Sequence, residues 1–428
     1  MNVLIIGGGG REHALAWKAA QSLRVDKVFV APGNAGTSLE PNVKNVAIPT
    51  NNFSALAKFA IKEEVALTIV GPEQPLVDGL VDFFQARDLA IFGPTKKAAQ
   101  LEASKAFTKT FLERHGIPTG NYQIFSETAP ALSYVREHGT PIVVKADGLA
   151  AGKGVIVAKT IAEAEEAIQG MLSKKLFGNA GNRIVIEQFL EGEEVSFIVM
   201  VDGKNILPMA TSQDHKRVGT GDIGPNTGGM GAYSPAPVVN GLLHDRIMSE
   251  IIVPTVEGMA LENGGYTGFL YAGLMITSDG NPKVIEYNCR FGDPETQPIL
   301  MRLESDLVTH CEAALQGKLD TQELIWDSRP AVGIVLASKG YPANYQRGYP
   351  ITGLDNEALS HDDIKIFHAG TAQQAGNIVT DGGRVLCITA VGSTIKSAQK
   401  KAYGACHVVG WPGSFYRTDI AWRALKEP

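Results

Sequence analysis

The chain lacks an excess of positive charge, has few cysteines and carries no long apolar run. Its formal net charge is −6 and its pI is near 5.9, so it offers no basic field to nucleic acid or to an anionic membrane, and neither is expected as a partner. Any phosphate it binds must be held locally. No segment approaches the roughly eighteen consecutive apolar residues that a membrane span needs. Cys289, Cys311, Cys387 and Cys406 are scattered, with no CxxC and no paired histidine spacing. They read as reduced thiols of a cytoplasmic protein without structural zinc. Residues 1–7 enter a strand with no charged leader, so no signal peptide is expected.

Two motifs are also missing a part. The stretch 2–17 reads as a buried strand, a glycine turn at Gly7, Gly8, Gly9 and Gly10, then a helix, which aims backbone N–H groups at an anion. A dinucleotide fingerprint fails there, because Glu12 or His13 stands at the last glycine of GxGxxG. The next strand, 27–31, brings no acid for a ribose hydroxyl. The turn can still hold one phosphate. Likewise 147–154 resembles a phosphate loop but is not Walker A, since Gly154 stands where Ser or Thr would be and the loop joins two strands. A glycine hairpin with Lys153 over a phosphate chain and Lys145 rising from the preceding strand is a different nucleotide clamp.

At 428 residues the chain is too long for one core, and about three domains are expected. Its 44% hydrophobic and 20% charged residues describe a globular protein, and its 47 glycines cluster where backbone would approach a ligand. Alternating strands and helices up to about residue 100 predict a doubly wound domain. A compact β-α-β-β-α-β run follows over 121–189. Lys105, near the start of a helix over 104–115, reads equally as a surface charge. In the bend after the strand 183–187, backbone groups of 188–190, up to Leu190, could meet an adenine edge, with Glu187 or Glu193 reaching its amine or the ribose. A solvated acidic loop is the other reading. The long glycine-rich segment 212–237 predicts a substrate loop, in which His215 is a loop residue rather than a base.

The strongest pattern is 284–297. Strand alternation puts Glu286 and Asn288 on one face, two oxygen ligands suited to Mg²⁺. Arg290, two residues on, is placed to hold a carboxylate. After residue 326 the pattern turns to strands with a helix near 397–404, and no chemistry is legible there.

Lys105, Lys145, the Lys153 loop, the 187–190 bend and Glu286-x-Asn288-x-Arg290 occur in the order seen in ATP-grasp ligases, which the chain resembles. GGGGREHALAWK, VAPGNAG, IVGPEQPLV, KADGLAAGKGV, SQDHKR, NTGGMGAYSPAP and EYNCRFGDPETQ narrow the resemblance to the glycinamide ribonucleotide synthetase family, over essentially the whole chain. The resemblance implies an α/β fold: an N-terminal Rossmann-like substrate domain (1–102), an ATP-grasp core (103–120 and 191–325) with a mobile lid (121–190), and a small α+β C-terminal domain (326–428). It implies ligation of glycine to 5-phosphoribosylamine with ATP and Mg²⁺ or Mn²⁺, through a glycyl phosphate, by a protein expected to be a monomer. Lys105, Lys145, Lys153, Glu187, Leu190 and Glu193 would bind ATP, and Glu286 and Asn288 the metal. Phosphoribosylamine would lie on Gly8, Gly9 and Gly10 with Asn34 and Glu73 beside its ribosyl part. Glycine would lie by Arg290, with Asp293, Asp214, Lys216 and Arg217 near, and Arg290, Lys153 and Asp293 would carry the chemistry. One departure stands out: the strand 271–276 lacks the second metal carboxylate that many ATP-grasp members carry. Another ATP-grasp carboxylate-amine ligase, or a nicotinamide dehydrogenase, is the alternative.

Overall fold

A computed structural model describes residues 1–150, 154–359 and 361–426. Near-continuous apolar runs of strand length build the first sheet, whose strands are parallel and buried on both faces. Its order is Val43–Asn45, Lys27–Pro32, Asn2–Gly7, Val65–Val70, Ile91–Phe92. The chain reverses direction across the sheet beside Asn2–Gly7, which is where doubly wound folds open a crevice at the strand ends. The glycine turn and helix Gly10–Ala19 lie at that point.

The central sheet, Ile206–Pro208, Gly192–Asp202, Thr267–Thr277 and Pro282–Asn288, is antiparallel. Opposite it stands a second antiparallel sheet of Tyr122–Phe125, Ile184–Gln188, Ile142–Ala146 and Val155–Ala158. In the latter, Ile142, Val144 and Ala146 point into a separate small core beneath helices Thr128–His138 and Ile161–Ile168. Alternation then turns Val143 and Lys145 outward, toward the cavity between the sheets. The rest of the protein shares its apolar clusters: one joins Ile69 of the first sheet, Ile198 of the central sheet and Phe367 of the C-terminal part.

Segment 212–237 departs from the expected long loop. Gln213–Asp214 and Gly231–Ser234 are strands that join the C-terminal sheet, next to Ala331–Ser338, Arg384–Val391 and Ile364–His368. Between them Arg217–Gly219 and Ile223–Asn226 form a hairpin. Buried Met230 and Tyr233 explain the pairing, since their apolar contacts lie with strand residues about one hundred positions later. The segment is therefore a strap tying the C-terminal domain to the central sheet. Arg417 fixes it from the far end, donating to Asp222 Oδ1 at 2.8 Å and to the Arg217 carbonyl at 3.0 Å. Among the described residues no helix is long and apolar enough to cross a membrane.

Candidate active site

A cavity of about 610 Å³ runs between the two antiparallel sheets and on to the junction with the N- and C-terminal domains. One end is apolar, walled by Val143, Val155, Val157, Phe189, Leu190, Met275 and Ile285. A flat aromatic base between two sheets suits such a slot. The other end is charged.

Lysines mark the passage between them. Lys145 Nζ sits 3.0 Å from Glu187 Oε1 and donates to the Ile285 carbonyl at 3.1 Å. Lys109 Nζ lies 2.9 Å from Glu187 Oε2 and donates to Thr119 Oγ1 at 2.7 Å. Glu187 is thus held between two lysines, and their charges keep it ionised despite a burial that opposes this. Glu187, expected to meet adenine or ribose, has both carboxylate oxygens on lysines here. Lys109 escaped the sequence reading, although it lies one helical turn beyond Lys105. Burial drops its ammonium to about 8. Lys105 is no surface charge: it is a cavity residue, lowered by burial, and donates to the Gly148 carbonyl at 3.2 Å. Ser104 caps its helix by accepting from the Phe107 N–H, and Asp147 accepts from both Ser104 Oγ and the Ala106 N–H. Lys153 lies outside the described residues.

Glu286 and Asn288 both line the cavity. Strand Thr267–Thr277 makes room for Glu286 at Gly273, where a Cβ would come within 3.0 Å of the Glu286 Cγ. Lys216 Nζ lies 3.1 Å from Glu286 Oε1 and 3.4 Å from Glu194 Oε2. That ammonium chiefly pulls the Glu286 carboxyl down to about 2. An ionised carboxylate and an amide oxygen on one strand face are a fitting donor pair for Mg²⁺ or Mn²⁺. No carboxylate comes from 271–276. Glu194 comes instead from the strand beyond it and lines the cavity, whereas Glu193 is exposed and does not. The two differ by one position in a strand, which reverses the face.

Arg290 is the most tightly held charge here. Its Nε donates to Glu73 Oε2 at 3.2 Å and its Nη1 to the Phe291 carbonyl at 3.2 Å. Its Nη2 donates to Asn288 Oδ1 at 3.1 Å and lies 2.9 Å from Glu102 Oε1. The fork expected to be open for glycine is occupied by protein groups. Glu102, buried and also accepting from the Cys289 N–H at 2.6 Å, is pushed up to about 7 by that burial. Asp293 also lines the cavity and lies 3.3 Å from Arg384 Nη2; burial opposes its charge, and Arg384 with Arg11 holds it ionised.

The N-terminal turn is more closed than expected. Gly9 N–H donates to Glu12 Oε2 at 2.6 Å, and Glu12 Oε1 accepts from Arg11 Nε at 2.6 Å. Gly8, Gly9 and Gly10 stand behind the cavity wall, with Gly9 and Gly10 facing Asp293, while Arg11 and Glu73 line the wall itself. The Asn34 amide is spent internally. It donates to the Gly8 and His368 carbonyls and accepts from the Gly36 and Thr37 N–H groups. That side chain, expected beside the ribosyl part, braces the turn. Asp214 and Lys216 reach the cavity; Arg217 turns back to the Gly224 carbonyl at 2.8 Å and does not. His215 is buried with Nε2 accepting from the Ala421 N–H, and burial depresses it to about 3, so it serves the fold.

The C-terminal domain, silent in sequence, supplies part of the wall through Tyr341, Pro342, Tyr345 and Arg384. Arg384 Nη1 donates to the Asp293 carbonyl at 2.7 Å and the Gly228 carbonyl at 2.8 Å, joining that domain to the strap and to the turn after Asn288.

Lysines over an apolar slot, a metal donor pair and a charged chamber make a site for a nucleoside triphosphate and a small charged co-substrate. Comparison with known proteins agrees. The models of the phosphoribosylglycinamide synthetase N domain, ATP-grasp (A) domain and C domain match residues 1–102, 103–296 and 331–423. A phosphoribosylamine-glycine ligase of Vibrio parahaemolyticus is 64% identical over 425 residues, 99% of each chain. One of Pseudomonas syringae pv. tomato is 65% identical over 99% of this chain and 98% of its own. The crystal structure of a phosphoribosylamine-glycine ligase from Thermotoga maritima superposes with a TM-score of 0.85 at 34% identity, covering 98% of this chain and 100% of that one. With its three parts matched in order and such relatives along its length, the chain belongs to the phosphoribosylglycinamide synthetase family, on an ATP-grasp fold.

Proposed function

We propose that this protein is an ATP-dependent ligase that joins glycine to 5-phosphoribosylamine, giving glycinamide ribonucleotide, ADP and phosphate in purine biosynthesis. The carrying observation is the single cavity in which Lys105 and Lys145 meet Glu286, Asn288 and Arg290, in a chain whose full-length relatives carry that activity in their names.

A carboxylate oxygen of glycine attacks the γ-phosphorus of ATP, releasing ADP and forming glycyl phosphate. The amine of phosphoribosylamine then attacks the glycyl carbonyl, phosphate departs with its bonding pair, and the new ammonium loses a proton to become the amide. No enzyme nucleophile is required. Lys145 and Lys105, rigidly held by Glu187 and by backbone carbonyls, offset the charge that moves onto the β-phosphate. Lys153 completes the clamp in this reading. Mg²⁺ or Mn²⁺ on Glu286 and Asn288 would neutralise the phosphate oxygens during the first transfer. The base lies in the apolar slot beside Leu190. Arg290 acts through its charge rather than through an open fork. Phosphoribosylamine lies where Arg11 and Glu73 meet Asp293 and Arg384, with the glycine turn behind them.

The lid, 121–190, closes this chamber so that glycyl phosphate meets amine before water. Its separate core supports that role. Four buried unpaired cysteines favour a cytoplasmic setting. The test is reconstitution: purified protein with ATP, Mg²⁺, glycine and freshly made phosphoribosylamine should release ADP and glycinamide ribonucleotide in equal amounts. ADP release that ignores glycine would refute the reading.

A further inference from the structure

A ring of polar groups closes where the lid meets the rest of the protein. Lys109 Nζ lies 2.9 Å from Glu187 Oε2 and donates to Thr119 Oγ1 at 2.7 Å. A lysine ammonium cannot accept, so the hydroxyl takes that bond on a lone pair and gives its single hydrogen to the Val284 carbonyl, at 2.7 Å. The next residue along, Ile285, accepts from Lys145 Nζ at 3.1 Å, and Lys145 returns to Glu187 Oε1 at 3.0 Å. The backbone holds the same corner: the Val284 N–H donates to the Pro118 carbonyl at 2.8 Å, and Thr119 bridges Val284 as a parallel partner. Lys109, Lys145 and Glu187 are all buried.

The members come from different parts of the chain. Lys109 stands on helix Lys105–Arg114, and Val284 and Ile285 on the strand that carries Glu286 and Asn288. Lys145 and Glu187 belong to the lid, on paired strands. Thr119 immediately precedes Gly120 and Glu187 lies three residues before Leu190, so the ring sits at both crossings of the chain between lid and core. Groups beside a rotation axis move least. In the proposed closure the ring therefore stays in place while the far end of the lid sheet travels. Two ammonium groups share one carboxylate, so the ring carries surplus positive charge beside the cavity, and a bound triphosphate offsets it.

We propose that Lys109 and Thr119 are positioning residues of the nucleotide site: the ring they close holds the lid at its pivot and, through Glu187, fixes Lys145 over strand Pro282–Asn288 for the phosphates of ATP. This rests on the nucleotide reading of the cavity and deepens it, whichever amine is ligated. Thr119 is the decisive member. It lies outside the cavity lining, so anything it does to ATP travels through Lys109 and Glu187. Lys105, one turn earlier on the same helix, reaches the Gly148 carbonyl instead and takes no part in the ring.

The test compares Thr119→Val, which keeps the shape and drops the hydroxyl, with Thr119→Ser, which keeps the hydroxyl. Binding of a non-hydrolysable ATP analogue with Mg²⁺ is measured by calorimetry, beside the KM values of the ligase reaction. Thr119→Val should weaken analogue binding and raise the KM for ATP roughly tenfold, the size of one hydrogen bond to a charged group, with the KM values for glycine and phosphoribosylamine little changed. Thr119→Ser should recover most of the affinity. Lys109→Met should weaken the analogue at least as much, and Thr119→Val added to it should cost nothing more, since the bond is already gone. A Thr119→Val variant that melts earlier yet binds the analogue as wild type does would make the ring structural only and overturn the proposal. If that variant folds poorly, wild-type affinity in Lys109→Met overturns it equally. Wild-type protein that does not bind the analogue would overturn the nucleotide reading and this inference with it. Wild-type protein that binds it but releases ADP without regard to glycine would sink the ligase reading alone, and the same pattern of affinities would still support the ring.

Discussion

In the proposed reaction Lys145 serves both fold and chemistry. Its ammonium shares Glu187 with Lys109 in a buried triad, so truncating it takes one charged hydrogen bond from the carboxylate and leaves Glu187 paired with Lys109 alone, at a cost of roughly 1.5–3 kcal/mol. Lys145→Ala should lower the urea midpoint and raise the KM for ATP or cut kcat. Lys145→Met, which keeps most of the side-chain volume while Glu187 and Lys109 still neutralise each other, should regain part of the stability, yet none of the activity. Recovery of both together would mean that the Lys145 charge has no part in the chemistry. Arg290→Lys sits in a similar position. A lysine cannot reach Glu73, Glu102, Asn288 and the Phe291 carbonyl together, as the guanidinium does. That variant should lose kcat more than glycine affinity; an effect confined to the glycine KM would restore the open-fork reading. The sequence could show Arg290 two positions beyond Asn288. It could not show that Glu73, more than two hundred residues earlier, fills the fork.

At the scale of elements, the two antiparallel sheets and the segment linking them decide what can move. The lid sheet has its own core, and it meets the rest of the molecule through a few polar links. These include Lys145 to the Ile285 carbonyl and Asp147 to the start of helix Lys105–Arg114. Gly120 and Leu190 mark where the chain enters and leaves it, and the proposed closure over ATP would place its hinges there. Amide exchange in strand Val155–Ala158 should slow when ATP and Mg²⁺ are added, while strand Gly192–Asp202 changes little; equal protection with and without nucleotide would count against closure. These strands were legible because each runs four or more residues with clear alternation or a continuous apolar run. The strap was not. Its strands Gln213–Asp214 and Gly231–Ser234 are short, and the second pairs on its other side with Ala331–Ser338, about one hundred residues later, so nothing local distinguishes them from a loop. For the same reason Arg384 passed unnoticed, since its role exists only through Gly228 and Asp293.

For the whole molecule, burial of two histidines sets an acid limit on stability. His215 and His368 are both depressed to about 3 by burial, against an unfolded value near 6.5. Each folded-state pKa lies below its unfolded one, so this stabilisation is complete above about pH 6.5 and is lost as pH falls toward 3, at up to ~1.4 kcal/mol per pH unit per histidine. Glu102, raised to about 7, works oppositely: its folded form takes the proton first, which adds stability as pH falls from 7 toward 4.5. Burial also lowers His13 and His310 and raises Asp214, and four histidines against two acids leave a net loss, so the urea midpoint should drop between pH 6.5 and 5. His215→Gln, able to accept the same Ala421 N–H, should flatten that drop, and an unchanged slope would refute the assignment. The central claim, however, concerns chemistry that crosses all the domains: glycine is activated by phosphoryl transfer before it meets the amine. Glycine labelled with ¹⁸O in both carboxylate oxygens tests this most directly, with the released phosphate read by mass spectrometry. One ¹⁸O is expected in each phosphate, carried over when the acyl phosphate is cleaved, and one left in the amide product. Phosphate free of the label, with both ¹⁸O atoms elsewhere, would contradict it.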